Sequence, residues 1–520
     1  MPACHSGRRV TSRVAGYATI FVSCLAQLIV TVDMTVLYLA VPELSVQLGA
    51  SSVSMLWIVD VYGFTMAGLL VTMGNLGDRV GRRRMLVCGV IGFAVASVLT
   101  AYAPTAELLI VARALLGVAG AAILPATTSL LRVVFTTQRA RTAAVGASAG
   151  VSAAGFAVGP ILGGVLLNQF WWGSVFLVNV PIALLILAAA KFIPESRAPQ
   201  RLRLDVASVL LSVIGVVAVV YTIKTGFLVG LWHPDVLSAL LVGLLALGLF
   251  ARRQLRLPTP LIDLRLFRSR EFTTSVGSNL VAVFTLSAFG FIISQYFQLV
   301  REWTPLEAGL AYVPGALAAV VAGGVLAPTA INRIGRGYAV ALGLLLAALG
   351  FGLLAGVQAY SPYALVVVAQ VAVGAGAGLT LTVTGDTILG TVPRDRAGAA
   401  AAISVTAYEL GGSLGIAVIG SVLSGIYRAQ LVLPQGVPQA VAERVRESFS
   451  AAVATGLPEP AAAAVQAAAT DAYLSGIRTS MMVSAAITVL LALVVVRFLR
   501  GVPKVIEQDA ALEQDSPLGT

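Results

Sequence analysis

The chain has 520 residues, 58% of them hydrophobic and 11% charged, with a mean hydropathy of +0.93 and a formal charge of +11. That hydropathy excludes a soluble globular domain, and a nucleic-acid partner is excluded because the basic residues are dispersed among short segments and form no single stripe. What remains is an all-α polytopic membrane protein: stretches of about 20 apolar residues, enough to cross ~30 Å of hydrocarbon, recur with no large hydrophilic domain between them.

At the N-terminus, Arg8, Arg9 and Arg13 lead into an apolar stretch too long for a signal-peptide core and without a small-residue cleavage site, so the first helix is read as retained. Apolar windows between charged breaks place spans at 17–41, 54–74, 85–103, 107–131, 142–167 and 174–193. A second group follows at 206–223, 235–250, 273–299, 307–331, 338–358, 362–389, 398–427 and 476–498, making fourteen. The positive-inside rule tests that count, because one missed helix would invert every later loop. Alternate loops carry most of the 34 basic residues, among them Arg79, Arg82, Arg83 and Arg84 after span two and Arg394 and Arg396 after span twelve. The opposite side holds only Lys224, Arg301, Arg428, Arg444, Arg446 and Arg478, while Arg113 alone falls within a span. Both termini are therefore expected on the cytoplasmic face of the cell inner membrane.

The expected organisation is a six-helix bundle over 1–200, a two-helix insert and linker over 201–271, a second six-helix bundle over 272–500 and a tail over 501–520. The one long external segment, 428–475, carries two Ala-rich helical patterns and reads as a small helical hairpin, with disorder as the alternative. Cys4, Cys24, Cys88, His5 and His233 make neither a disulfide framework nor a metal-ligand spacing. No metal or other cofactor is expected.

The two bundles read as a repeat. GNLGDRVGRRRML (74–86) follows span two and APTAINRIGRGYAV (327–340) follows span ten, so Asp78-Arg79-Val80-Gly81-Arg82 aligns with Asn332-Arg333-Ile334-Gly335-Arg336. Repeated bundles are how secondary transporters build a central cavity with two alternating openings.

These residues also carry a resemblance. GNLGDRVGRRRML resembles the loop 2-3 signature of the major facilitator superfamily, RALLGVAGAAILP (113–125) its fourth-helix motif, and GVSAAGFAVGPILGG (150–164) its antiporter motif in helix five. With TVDMTVLYLAVP (31–42), LWIVDVYGF (56–64) and fourteen spans, the chain is similar to the fourteen-helix drug:proton antiporters, especially the exporters of quaternary ammonium compounds and dyes. The resemblance implies a major facilitator fold of 6 + 2 + 6 helices, export of lipophilic cations driven by the proton gradient, and a latching role for the loop with Asp78, Arg79 and Arg82. It also implies that Arg113 tunes protonation and that the face bearing Gly159 and Pro160 limits ion leakage.

From the residues alone, an ionised Asp near the centre of a membrane helix costs ~2.5 to 3.5 kcal/mol on insertion scales, so it normally faces a cavity or a partner. Counting 1.5 Å per residue from the external ends puts Asp33 ~12 Å and Asp60 ~10 Å deep in antiparallel neighbours. They are read as a carboxylate pair that binds either a proton or a cation; the other reading, pairing with a structural base, has only Arg113 to draw on. Glu409, ~18 Å into span thirteen, is a third candidate. Here the chain departs from the family, many of whose members carry acids four to five residues earlier, where this chain has Ser404 and Val405. Span ten has no acid in AYVPGALAAVVAGG, which argues for a narrower range of divalent cations.

Trp57, Tyr62, Phe289 and Tyr408 offer aromatic faces to soft cations, and Asn279 and Gln295 offer polar groups to a cavity; packing explains each as well. Tyr296 and Phe297 lie in the same span as Gln295 and read the same way. Asp386, near the cytoplasmic end of span twelve, is expected to contact a loop or helix terminus. Expected partners are small cationic molecules, protons and the bilayer, with a monomer as the working unit. The competing reading is a dedicated exporter of one antibiotic or metabolite. No nucleophile, base and metal constellation suggests an enzyme, and no phosphate-binding GxxxxGK[ST] loop suggests ATP.

Overall fold

The computed structural model describes residues 4–135, 138–197, 205–257, 260–392, 397–453 and 457–499. The expected tail 501–520, together with Arg201, Arg203, Arg394, Arg396 and Arg500, lies outside the described residues. Helices run in chain order as α1 (Cys4–Gln47), α2 (Ser52–Val80), α3 (Arg82–Ala101), α4 (Ala106–Val134), α5 (Gln138–Gln169), α6 (Ser174–Leu177) and α7 (Asn179–Ala190). Next come α8 (Val206–Val229) and α9 (Pro234–Arg256), then α10 (Arg270–Gln295), α11 (Pro305–Leu310), α12 (Val313–Val321), α13 (Ala327–Ile334) and α14 (Arg336–Ala355). The chain closes with α15 (Tyr363–Gly390), α16 (Ala397–Gln430), α17 (Gln439–Glu447), α18 (Phe449–Val453) and α19 (Ala461–Leu499).

Helix starts follow local chemistry. The side chains of Ser51, Thr105 and Ser269 each accept a hydrogen bond from a backbone N–H of the first turn, and Thr304 with Glu307 forms a reciprocal capping box. Among the described residues twelve helices are long and apolar enough to cross a membrane. The remaining two predicted spans coincide with α5 and with α6–α7, which is interrupted at Val178. Span ten is also broken: Pro314 and Pro328 remove backbone donors and a π-helical stretch, Ala322–Leu326, contains Gly323 and Gly324.

The repeat is visible in the packing. In the first half α1 lies on α5, α4 on α2 and α3, and α7 on α3; in the second half α10 lies on α16, α15 on α12 and α14, and α19 on α14. The aligned glycines do the same job, since Gly81 and Gly335 each break two helices with φ of 124° and 85°, a region open to glycine and strained for other residues. The halves meet where α2 packs on α16, α5 on α11 and α1 on α10.

The insert, α8 and α9, sits at the rim, with only 22% and 17% of the span windows buried against 78% for Arg270–Val300. Asp205 caps α8 and is held by Arg253 of α9 at 2.9 Å. The segment 428–475 departs from a hairpin. Its first part folds as α17 and α18, tied down by Tyr427 donating to the Val445 carbonyl and by Phe449 stacked on Tyr473 at 4.5 Å. Its second part is the start of α19 and continues into the last span as one 39-residue helix, because its Ala-rich run favours helix and no proline stands between it and the apolar stretch, so the helix carries through Gly476.

Candidate functional site

A cavity of about 1390 Å³ lies between the halves. Its lining runs from Tyr38, Phe289 and Tyr312 in the interior to Asp78, Arg82 and Asp205 at the end of the bundle where α1 begins. The opposite end is closed. There Ser294 on α10 donates to the Tyr38 carbonyl on α1, and α5 meets α11 through glycines. A Cβ added at Gly164 would lie 2.6 Å from the Pro305 carbonyl oxygen and 2.8 Å from Leu306 Cα, while one at Gly309 would collide with the Pro160 carbonyl. Gly159 gives α5 the same close approach to Thr35 of α1. Gly164→Val is therefore expected to hold this end apart and stall transport, at a cost of ~1 to 3 kcal/mol to the closed state. Labelling of a cysteine placed at Pro305 should rise in that variant; unchanged labelling and wild-type transport would contradict the role given to the seam.

Glu409 on α16 reaches the cavity beside Tyr408 and is 4% exposed. Its Oε2 is buried with no hydrogen-bond partner, and no base pairs with it among the described residues. Asn279 and Phe289 also line the space, Asn279 donating to the Ser404 carbonyl and hydroxyl at 3.2 Å. Gln295 lies elsewhere, at a small pocket of about 50 Å³ near the closed end with Ser448 and Tyr473.

Asp33 and Asp60 do not form a carboxylate pair. Asp33 is sealed from the cavity: Arg113 Nη1 stands 2.5 Å from one oxygen and Asn179 Nδ2 2.8 Å from the other. Both partners are held in turn, Arg113 by donating to the Ile58 carbonyl and Asn179 by donating to Ser97. Tyr62 does not line the cavity but lies under the Arg113 guanidinium, 4.7 Å from ring centroid to carbon. Asp60 meets a different base, Lys224, at 3.0 Å, with neither side chain exposed. Trp57 faces that ammonium and not the cavity, its ring centroid 4.1 Å away.

Lys224 therefore does not belong with the external basic residues, and Arg113 is not the only buried base. The span window stopped at 223, but Gly226, Phe227, Leu228 and Val229 carry α8 onward past the lysine, so its side chain lies in the helix packed on α2. Asn179 was also missed. Its sequence signal, one amide in the apolar run SVFLVNVPIALL, is weak without a known partner.

At the open mouth Asp78 accepts from Arg82 at 2.8 Å, Arg82 also reaches Ser196, and Arg79 is exposed. In the second half Arg336, aligned with Arg82, pairs with Asp386 of α15, which is thus held at a helix terminus. The two repeated loops are chemically alike but take their acid from different elements, Asp78 from α2 and Asp386 from α15.

A model of the Major Facilitator Superfamily matches residues 23–416. The chain belongs to this superfamily. It is 40% identical over 500 residues, 95% of this chain and 99% of the relative, to multidrug efflux pump LfrA of Mycolicibacterium smegmatis. It is 36% identical over 468 residues, 88% of this chain and 93% of the relative, to methyl viologen resistance protein SmvA of Salmonella typhimurium. Puromycin resistance protein pur8 of Streptomyces alboniger is 33% identical over 436 residues, 82% of this chain and 86% of that one. The fold is shared with a crystallised bacterial homologue of the human lysosomal transporter Spinster, in an inward-facing and unoccupied conformation, at a TM-score of 0.65 and 14% identity over 94% and 98% of the two chains. This major facilitator protein is thus a multi-pass membrane transporter of the efflux type.

Proposed function

We propose that the protein is a proton-coupled antiporter that exports lipophilic organic cations by alternating access. The observation that carries this reading is Glu409, an acid with no basic partner among the described residues, in a cavity larger than the ~300 to 1,000 Å³ of an ordinary ligand pocket and lined by aromatic rings. With the Arg-rich Asp78 end in the cytoplasm, as the distribution of basic residues argues, the cavity loads from the cell interior.

A cation entering there gains the faces of Tyr408 and Phe289, worth ~0.5 to 2 kcal/mol each, and the charge of Glu409. A proton on Glu409 and a cation beside it are alternatives, so arrival of one drives out the other. When the halves rock so that α5 and α11 part, a proton arriving from outside displaces the cation, and the neutral acid lets the empty carrier return. Asp33 and Asp60, each neutralised by its own base in this state, act on the coupling between helices and not as the cation's first contact. The names of the relatives, with methyl viologen and puromycin among the compounds resisted, support a small organic substrate.

A panel of methyl viologen, ethidium, puromycin and a neutral drug, tested in proteoliposomes under an imposed pH gradient, checks the substrate class. Gradient-driven movement of several lipophilic cations is expected. Movement of one compound alone would favour a dedicated exporter, which the kinship with the puromycin resistance protein keeps as the second reading.

A further inference from the structure

The insert does more than sit at the rim. Its helix α8 touches both halves at once: Val220 packs with Phe64 of α2 and Ala417 of α16, flanked by Trp57, Val216, Leu410 and Leu414. At this junction α8 sends Lys224 inward to Asp60.

The two buried ion pairs differ in construction. Asp33 is gripped on both oxygens by side chains that are themselves anchored, an arrangement hard to open. Asp60 and Lys224 stand 3.0 Å apart, but neither carboxylate oxygen nor the ammonium makes an aligned hydrogen bond. The charges on the other helices packed against α2 are otherwise engaged, Arg113 of α4 with Asp33 and Glu409 of α16 with the cavity. Lys224 also lies over Trp57 at 4.1 Å and within 5.9 Å of Phe64. A carboxylate with aromatic faces is the chemistry that would hold an organic cation, and here a flexible four-carbon stem delivers the cation from within the chain.

We propose that Lys224 is a tethered counter-cation: it fills the Asp60–Trp57 site in the state open at the Asp78 end and gives way when a proton or a transported organic cation takes Asp60. The inference rests on the exporter reading and assigns the two-helix insert a part in it. Lys224 is a positioning residue, because it acts through Asp60. Its displacement would also remove the polar tie between α8 and α2 and leave only the apolar packing of Val220 against Phe64 of α2 and Ala417 of α16, which links occupancy of Asp60 to movement between the halves.

The test uses the full chain, with tetraphenylphosphonium binding measured by calorimetry and ethidium transport measured in proteoliposomes. Lys224→Gln should bind tetraphenylphosphonium about tenfold more tightly than wild type, since Asp60 is freed, and should lower both KM and kcat for ethidium by a similar factor. Asp60→Asn/Lys224→Gln, which leaves no buried charge at this site, should melt like wild type, lose the gain in affinity and remain slow. Equal affinity in Lys224→Gln and wild type, or wild-type transport by the double variant, would overturn the proposal and leave a structural ion pair. If Lys224→Gln fails to fold, the double variant alone decides, by its rate. If wild-type protein binds the cation but does not transport ethidium, the exporter reading fails while the affinity comparison still tests the role of Lys224.

Discussion

Glu409→Gln is expected to abolish proton-driven export while leaving the protein folded. Glutamine has nearly the shape of the acid, and the wild-type side chain has no salt bridge to lose among the described residues. Removing an uncompensated charge from a site only 4% exposed is neutral or mildly stabilising, so the melting temperature should hold or rise. Transport should behave otherwise. With no carboxylate the cavity keeps its aromatic faces but cannot exchange a cation for a proton, and gradient-driven ethidium uptake into inverted vesicles should drop at least ~100-fold, equivalent to ~2.7 kcal/mol. Glu409→Asp, one methylene shorter, should retain partial activity. Undiminished gradient-driven uptake by Glu409→Gln would remove the acid from the coupling reaction.

Asp33→Asn is expected to fail for a different reason. From the sequence, this acid reads as half of a carboxylate pair that binds either a proton or a cation. In the structure it is the counter-charge of Arg113, whose guanidinium is fully buried over the Tyr62 ring and beside Phe176. Neutralising Asp33 strands that charge, and breaking one side of a buried pair costs ~3 to 5 kcal/mol. The variant should melt well below wild type and accumulate poorly as well as transport poorly. Asp33→Asn/Arg113→Gln should recover most of the thermal stability, because the hydrogen bonds around Asn179 can reform without a bare charge. Thermal melts of the four proteins in detergent give the coupling energy. Additive effects would show that the two residues act independently.

How far each feature could be read from the sequence depended on whether it was local. Apolar runs, breakers and caps are local, so the fourteen predicted spans coincide with helices, and the aligned Gly81 and Gly335 both take positive φ. Burial of the two aspartates was also legible, since an acid in an apolar helix leaves few alternatives. Their partners were not, because pairing is decided across helices. Matching depth on α1 and α2 suggested that Asp33 faces Asp60, but rotation about the helix axes turns Asp33 toward α4 and α7 and Asp60 toward α8. Lys224 was misplaced for a simple reason: a positive charge near the end of an apolar run is the usual mark of a loop, and only the docking of α8 on α2 makes a buried site for it. Trp57, Tyr62 and Gln295 show the same limit. Aromatic and amide residues in a span are recognisable, but the face they occupy is set by packing. Here Trp57 serves Lys224, Tyr62 serves Arg113, and Gln295 lies at the closed end.

The central claim, that a cation and a proton exclude each other at Glu409, is tested most directly by proton release on binding. Adding tetraphenylphosphonium to the purified protein in weakly buffered detergent, with a pH-sensitive dye as reporter, should release protons from wild type and none from Glu409→Gln, although both bind the cation through the aromatic cavity. Equal proton release from the two proteins, or binding to wild type with no release at any pH between 6 and 9, would contradict the account.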